Sequence, residues 1–399
     1  MPIITENTRR FIHEHRLEDV RHLALQAAKY PEVDMPLALT QISGWQTLKD
    51  KVPTWAACDE ILYPPHLSLE QCSSELTARY KASVLESKEG KRDTLADLTG
   101  GFGIDCAFLS TLFRQAAYVE RQETLCDIAR HNFPALGLHH ITIHPTESAT
   151  YLQEMPPVDW IFIDPARRDG QGGKVVAISD CEPDVAALEE LLLAKSRQVL
   201  VKLSPMLDLV QALHDLRHVA EAHIVAVANE CKELLLALSK DNNVQPDGVP
   251  VHCVNLGTTQ PPLTFTRRAE QEAVCPYADI PGTFLYEPNA ALLKAGAFRT
   301  LAYIYNMVKL HPNSHLYTSN TWTPDFPGRA FRIEGWCGFG KKEVKDLLGG
   351  VKQANLTVRN FPASVGELRK RLKLAEGGDT YLFATTIGER KILIRCRKQ

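Results

Sequence analysis

At 399 residues the chain is too long for one ordinary hydrophobic core, so two or more domains are expected, and its 44% hydrophobic and 23% charged residues match a soluble globular protein. Ten scattered cysteines, with no C-x-x-C pair and no His/Cys cluster at zinc spacing, argue for a reducing compartment and against both a disulfide framework and a structural metal. With no run of about 18 apolar residues and no basic-then-apolar N-terminus, neither a membrane span nor a secretory signal is expected, which points to a cytoplasmic protein.

Residues 1–85 read as a helical region. Thr8 to His15 holds no breaker, and Val20, Leu23, Ala24, Ala27 and Ala28 recur at helical spacing. Pro53, Pro64 and Pro65 cut the later part into shorter pieces. No chemistry is visible there, and the region reads as packing or substrate-shaping.

Over residues 86–245 short apolar runs alternate with helical stretches: 94–96, 117–119, 141–143, 160–163 and 199–201. Such alternation predicts β-α units and a parallel sheet covered on both faces. The next two runs, 223–228 and 234–238, are separated only by Asn229 to Glu233, too short for a parallel crossover, so an antiparallel hairpin is expected. Five parallel strands ending in that hairpin make seven. The predicted fold class is α/β: a seven-stranded Rossmann-like sheet with an N-terminal helical region and C-terminal α+β modules.

Polar residues 241–248 mark a boundary. Residues 246–325 predict a small α+β domain with strands near 252–256 and 263–265 and one helix from Asn289 to about Leu310. Residues 326–399 read as strand, helix, strand, helix, strand, strand, a second compact α+β module. That module carries 16 Lys+Arg against 7 Asp+Glu, whereas the rest of the chain carries 29 against 41. A basic module on an acidic body is the footprint of a polyanion partner, although basic tails also serve solubility alone.

The ends of the five strands carry the chemistry. After the first comes Asp97-Leu98-Thr99-Gly100-Gly101-Phe102-Gly103, whose glycines allow a ligand to approach the backbone and whose following helix, from about Ile104, presents amides to it. Asp105 and Cys106 rule out the Gly-x-Gly-x-x-Gly fingerprint of a dinucleotide, while Asp97 suits the ammonium of a methionine moiety. Glu120, closing the second strand about 20 residues on, suits a ribose diol. Glu147, after the third strand, is the candidate for an adenine amino group, in a stretch where Thr146 or Ser148 could equally cap a helix. The fourth strand ends in Asp164-Pro165-Ala166-Arg167, where a carboxylate at the mouth of a buried strand can orient an acceptor amine or ring nitrogen and a proline stiffens the turn. Lys202, ending the fifth strand, could neutralise Asp164 or a substrate phosphate, or stand in water.

Together these residues resemble class I methyltransferases over roughly Thr94 to Leu238. The resemblance implies S-adenosyl-L-methionine as cofactor, bound by Asp97, Thr99, Gly100, Gly101, Phe102, Gly103, Glu120 and Glu147, with Asp164, Pro165 and Arg167 at the methyl acceptor. The Asp-Pro-x-Arg variety is similar to RNA methyltransferases, most of all the uracil-C5 enzymes. Those require a cysteine nucleophile after the fifth strand, and Leu203-Ser204-Pro205 supplies none. Amino-methylating enzymes of the Asp/Asn-Pro-Pro-aromatic type stack an aromatic where this chain has Ala166-Arg167. The whole arrangement resembles bacterial methyltransferases with a ferredoxin-like insert and a C-terminal THUMP-like, RNA-binding domain. It implies methylation of a base nitrogen in tRNA or rRNA, with no metal and no membrane. A methyltransferase for small molecules or proteins, or a non-catalytic RNA-binding protein with a vestigial cofactor site, are the alternatives.

Overall fold

The computed structural model of the protein describes residues 4–167 and 177–399. The chain forms two compact units, Met1–Ala220 with Leu234–Asn243, and Glu221–Glu233 with Val244–Gln399.

The first unit opens with the expected helices, at Glu6–His15, Val20–Leu25, Met35–Leu48, Pro53–Ala56, His66–Gln71 and Glu75–Glu86. Their starts follow local chemistry: Thr5, Asp19, Asp34 and Ser74 each accept a hydrogen bond from a first-turn amide, satisfying donors that the helix leaves orphaned. The rest is a sheet of β1 (Thr94–Asp97), β2 (Gln115–Glu120), β3 (Ile141–Pro145), β4 (Val158–Ile163), β5 (Ser196–Leu203) and the end of β7 (Glu230–Ser239), β6 (Val219–Val227) preceding the last. Strands β1 to β5 are parallel in the order β3-β2-β1-β4-β5, with β7 antiparallel to β5. Every strand expected from the apolar runs is present. The hairpin turn between β6 and β7 is tighter than expected: Ala228 and Asn229, at φ 47° and 69°, form it alone. Polar Glu230 and Lys232 extend β7 beyond its apolar run, and an apolar count cannot see such ends.

The N-terminal helices share a core with the sheet. Leu48, Val52, Trp55 and Leu69 pack in one cluster with Phe102, Ile104, Tyr118 and Phe133. Burying this much apolar surface, at about 25 cal/mol per Å², is what seats the helical region on the β1–β2 side.

In the second unit β6 pairs in parallel with β8 (Pro250–Leu256), which pairs antiparallel with β9 (Leu263–Thr266). A separate seven-stranded sheet holds β10 (Phe284–Pro288), β11 (Val308–Lys309), β12 (Tyr317–Ser319), β13 (Gly328–Cys337), β14 (Asn355–Val358), β15 (Thr380–Ile387) and β16 (Arg390–Lys398), in the order β11-β12-β10-β13-β16-β15-β14. Two sequence expectations change here. The 246–325 stretch is divided, since β8 pairs with β6 and carries β9 on its other edge, while β10 to β12 join the C-terminal sheet; β10 pairs antiparallel with β13 across the expected 325/326 boundary. Composition marks linkers but carries no record of strand pairing. The single helix from Asn289 is instead Ala290–Ala295 and Phe298–Ile304, because Gly296 takes a left-handed φ of 76° and caps the first. The β13-to-β16 element order matches the expected one.

Candidate active site

Between β1 and β4 the chain switches direction of travel across the sheet, to β2 and β3 on one side and to β5 on the other. Ligand crevices of open α/β sheets lie at such a switch, outside the carboxyl ends of the strands. A cavity of about 500 Å³ sits there, lined by Thr99 to Asp105, Glu120, Glu147, Asp164 and Lys202. Its size suits a small-molecule ligand.

The glycine loop is held from both sides. Gly100 N donates to Val119 O at 2.8 Å, Gly101 N to Glu120 Oε2 at 2.9 Å, and the buried Tyr118 hydroxyl to Gly101 O. Gly100 is required by packing: a Cβ there would stand 2.2 Å from the Tyr118 ring. Gly103 has φ 93° and starts the helix Ile104–Ser110. Phe102 is buried and meets Trp55 edge-on at 5.1 Å. Glu120 receives a second amide, Gln122 N at 2.8 Å, so each of its oxygens holds one backbone donor and keeps a lone pair for a ligand hydroxyl.

Asp97 lies beneath the loop, 1% exposed, rather than on the cavity wall. One oxygen accepts Thr99 N at 3.0 Å, and the other, Oδ2, is buried without a hydrogen-bond partner. Burial, reinforced by the charges of Asp105, Asp164 and Glu120, pushes its pKa well above the usual carboxylate range. A carboxyl raised in the folded state costs stability as pH rises from its unfolded value through the folded one. Asp97→Asn is therefore expected to gain stability over the parent between about pH 4 and neutrality and to weaken a cationic ligand. Urea unfolding across that range checks it; parallel curves for the two proteins would contradict the burial argument.

Asp164 follows β4, and in the β4–β5 register Ile163 faces Val201, so Asp164 and Lys202 emerge side by side and form an ion pair. Asp164 N also donates to Thr99 Oγ1 at 2.6 Å, tying the turn to the loop. Burial holds the Asp164 carboxyl above its usual pKa although Lys202 opposes it. Pro165 is buried and absent from the cavity wall. The Ala166–Arg167 backbone pairs antiparallel with Cys181–Glu182; the Arg167 side chain lies outside the described residues.

Two residues that the sequence reading passed over complete the centre. Asp105, in the first turn after Gly103, sits 3.6 Å from Lys202 Nζ and 3.2 Å from Lys81 Nζ, and accepts Ser73 Oγ at 2.7 Å. Burial alone would raise the Asp105 carboxyl, but Lys81 and Lys202 together hold it below its usual range. Lys81 is fully buried on the helix Glu75–Glu86, in the same stripe as Ala78 and Leu85. A lysine at i+3 of an apolar stripe is the signal that could have found it. The helical region thus contributes to the site, beyond packing: Ser68, Gln71, Cys72 and Ser73 also line the cavity.

Glu147 is exposed on the rim, 4.0 Å from Arg121. It occupies the N-cap position of the helix Ser148–Glu154 without capping it, and Ser148 Oγ donates to Leu98 O at 2.6 Å instead.

In the C-terminal module several basic residues are engaged internally: Arg329 and Arg359 flank the buried Glu287, Arg395 and Arg397 share Glu334, and Arg369 reaches Glu376. Lys341, Lys342, Lys370, Arg371 and Lys373 remain exposed. Among the described residues no helix is long and apolar enough to cross a membrane.

Comparison with known proteins fits this architecture. Residues 284–327 match a ferredoxin-like domain family and residues 328–398 a THUMP domain-like family. Over its whole length the chain is similar to a crystal structure of an inferred methyltransferase from Porphyromonas gingivalis W83, at 38% identity, with 100% of each chain covered and a TM-score of 0.88. A conserved hypothetical protein of Streptococcus pyogenes (15% identity, 42% of this chain and 98% of that one) and TrmK of M. capricolum in complex with S-adenosyl-homocysteine (11%, 41% and 69%) both have a TM-score of 0.30, too low to bear on fold or function. The search of curated proteins gives no match.

Proposed function

The chain belongs to the same methyltransferase family as the Porphyromonas gingivalis protein, and on that premise we propose that it uses S-adenosylmethionine to methylate a base nitrogen in tRNA or rRNA. The observation that carries this reading is the buried, unpartnered Asp97 Oδ2 beneath a glycine cradle, in a field of further carboxylates. The carboxylates that line the cavity, Asp105, Glu120, Glu147, Asp164, Glu182 and Asp184, outnumber the cations Arg121 and Lys202, so the cavity favours a ligand of net positive charge. A ligand with an ammonium and a sulfonium answers that field. The cradle supplies the close backbone approach, the free lone pairs of Glu120 suit a ribose diol, and exposed Glu147 stands where an amino group of a base could reach it.

When bound, the cofactor supplies a methyl group already activated by its sulfonium, so the protein's part is mainly positioning. Asp164, fixed by Lys202 and Thr99, accepts the N–H of an acceptor base and takes up its proton. Pro165, with the 166–167 and 181–182 backbone pair, stiffens the wall beside it. Arg167 follows in the same motif and is assigned to the acceptor side. The exposed lysines and arginines of the C-terminal module hold phosphates without reading sequence, and the matched THUMP-like family supports RNA over other acceptors.

The test has two parts. Calorimetry should show S-adenosylmethionine binding to the purified chain, and nucleoside mass spectrometry of total RNA from a deletion strain should lack one methylated base. Lys370→Glu with Arg371→Glu should lower the log–log salt slope of RNA binding by about 2. Absence of cofactor binding refutes the enzyme reading, while a complete nucleoside set with intact binding moves the acceptor to a small molecule or protein.

A further inference from the structure

The second unit assembles three ligand-type side chains far from the glycine loop in sequence. Glu221 and His223 alternate on β6 and so share one face of it. His252 stands directly opposite His223 in the parallel register of β6 with β8. His223 Nε2 lies 3.0 Å from one Glu221 oxygen, and His252 Nε2 lies 3.6 Å from the other. All three donor atoms fall within 4.8 Å of one another. The two imidazoles are stacked, with centroids 4.7 Å apart and planes 23° apart.

We propose that Glu221, His223 and His252 bind a divalent cation of the zinc class, with water completing the coordination. At metal–ligand distances of about 2.0–2.1 Å, the corners of a tetrahedron stand about 3.3 Å apart, and the two carboxylate–imidazole separations bracket that edge. His252 Nδ1 lies 2.8 Å from Thr264 Oγ1 on the neighbouring β9. With Nδ1–H donated to that hydroxyl, the Nε2 lone pair faces a carboxylate oxygen, a juxtaposition that a cation between them relieves. An outer partner of this kind is what orients metal-binding histidines. Two imidazoles with one carboxylate select zinc, nickel or cobalt over calcium and magnesium, which take oxygen ligands. Glu221 and His223 are buried, while the His252 side chain is 29% exposed, so solvent reaches the cluster to supply the remaining ligand. A sequence scan for C-x-x-C or His/Cys spacing points away from a metal, because these ligands meet through strand register instead of local spacing.

The full-length chain, stripped with a chelator and dialysed, is titrated with Zn²⁺ against a chromogenic competitor. One equivalent should bind at least about a hundredfold more tightly than to His252→Ala, and Glu221→Gln, which keeps the side-chain shape, should weaken it at least about tenfold. Thr264→Val should weaken it about ten- to a hundredfold through the outer partner. Since ten cysteines could hold zinc elsewhere, Co²⁺ loading is followed by absorption, and the site should give visible ligand-field bands without a thiolate charge-transfer band. Matching circular dichroism of metal-free parent and Glu221→Gln keeps loss of fold apart from loss of ligand. No bound equivalent in the parent, equal binding by His252→Ala, or a thiolate band accounting for all bound cobalt overturns the site.

Discussion

Asp164→Asn should lower the rate of methyl transfer by about 10²- to 10⁴-fold while leaving S-adenosylmethionine affinity within about tenfold. Asparagine keeps the size of the side chain, and the backbone bond from residue 164 N to Thr99 Oγ1 does not depend on the side chain, so the turn should persist. What is lost is the negative charge that accepts the proton and that Lys202 holds in place. The pH profile separates this role from a structural one. Burial keeps the Asp164 carboxyl above its usual pKa, so the parent's activity should fall on the acid side as it protonates, and the variant should lose that limb. Single-turnover transfer across pH, with calorimetry of cofactor binding, measures both. A variant that retains a tenth or more of the parental rate would place proton acceptance on another group.

The largest effect on stability is expected at Lys81. Lys81→Met removes a fully buried charge and leaves the Asp105 carboxylate facing Lys202 at 3.6 Å. Breaking a buried pair from one side costs about 3–5 kcal/mol; the remaining lysine should keep the loss near about 3 kcal/mol. The sign with pH follows from Asp105, whose carboxyl is held below its usual range by the two lysines against burial. Stability from such a group is present above its unfolded pKa and is lost as pH falls through the lower folded value. The deficit of the variant should therefore be full at neutral pH and shrink below about pH 4. Adding Asp105→Leu to Lys81→Met removes the stranded charge and should recover part of the loss. Urea unfolding of the parent and both variants reads it. A neutral-pH deficit below about 1 kcal/mol would show that the pair carries little net stability.

These two residues mark the limit of what the letters reveal. Asp164 was legible because it ends an apolar run, where a strand must finish and a crevice must open, and Asp97, Glu120 and Lys202 were legible for the same reason. The Ile163–Val201 register then turned two strand-end residues into one ion pair. Lys81 and Asp105 were not legible as a pair, because their helices meet only through packing of the N-terminal region onto the sheet. Glu147 shows the converse: its position after β3 was readable, but the side chain ended on the rim because Ser148, not Glu147, turned inward to Leu98.

The sequence by itself determined the alternation of strands and helices, the glycine loop, the strand-end carboxylates and the basic C-terminal module. All of these follow from local periodicity, backbone freedom and charge. Only the tertiary structure decided that β8 pairs with β6, that β10 joins the C-terminal sheet, that Lys81 closes the charge network, and that Glu221, His223 and His252 meet. Each depends on pairing between distant segments, which main-chain hydrogen bonds and buried apolar area select globally, and no short window of sequence contains both partners.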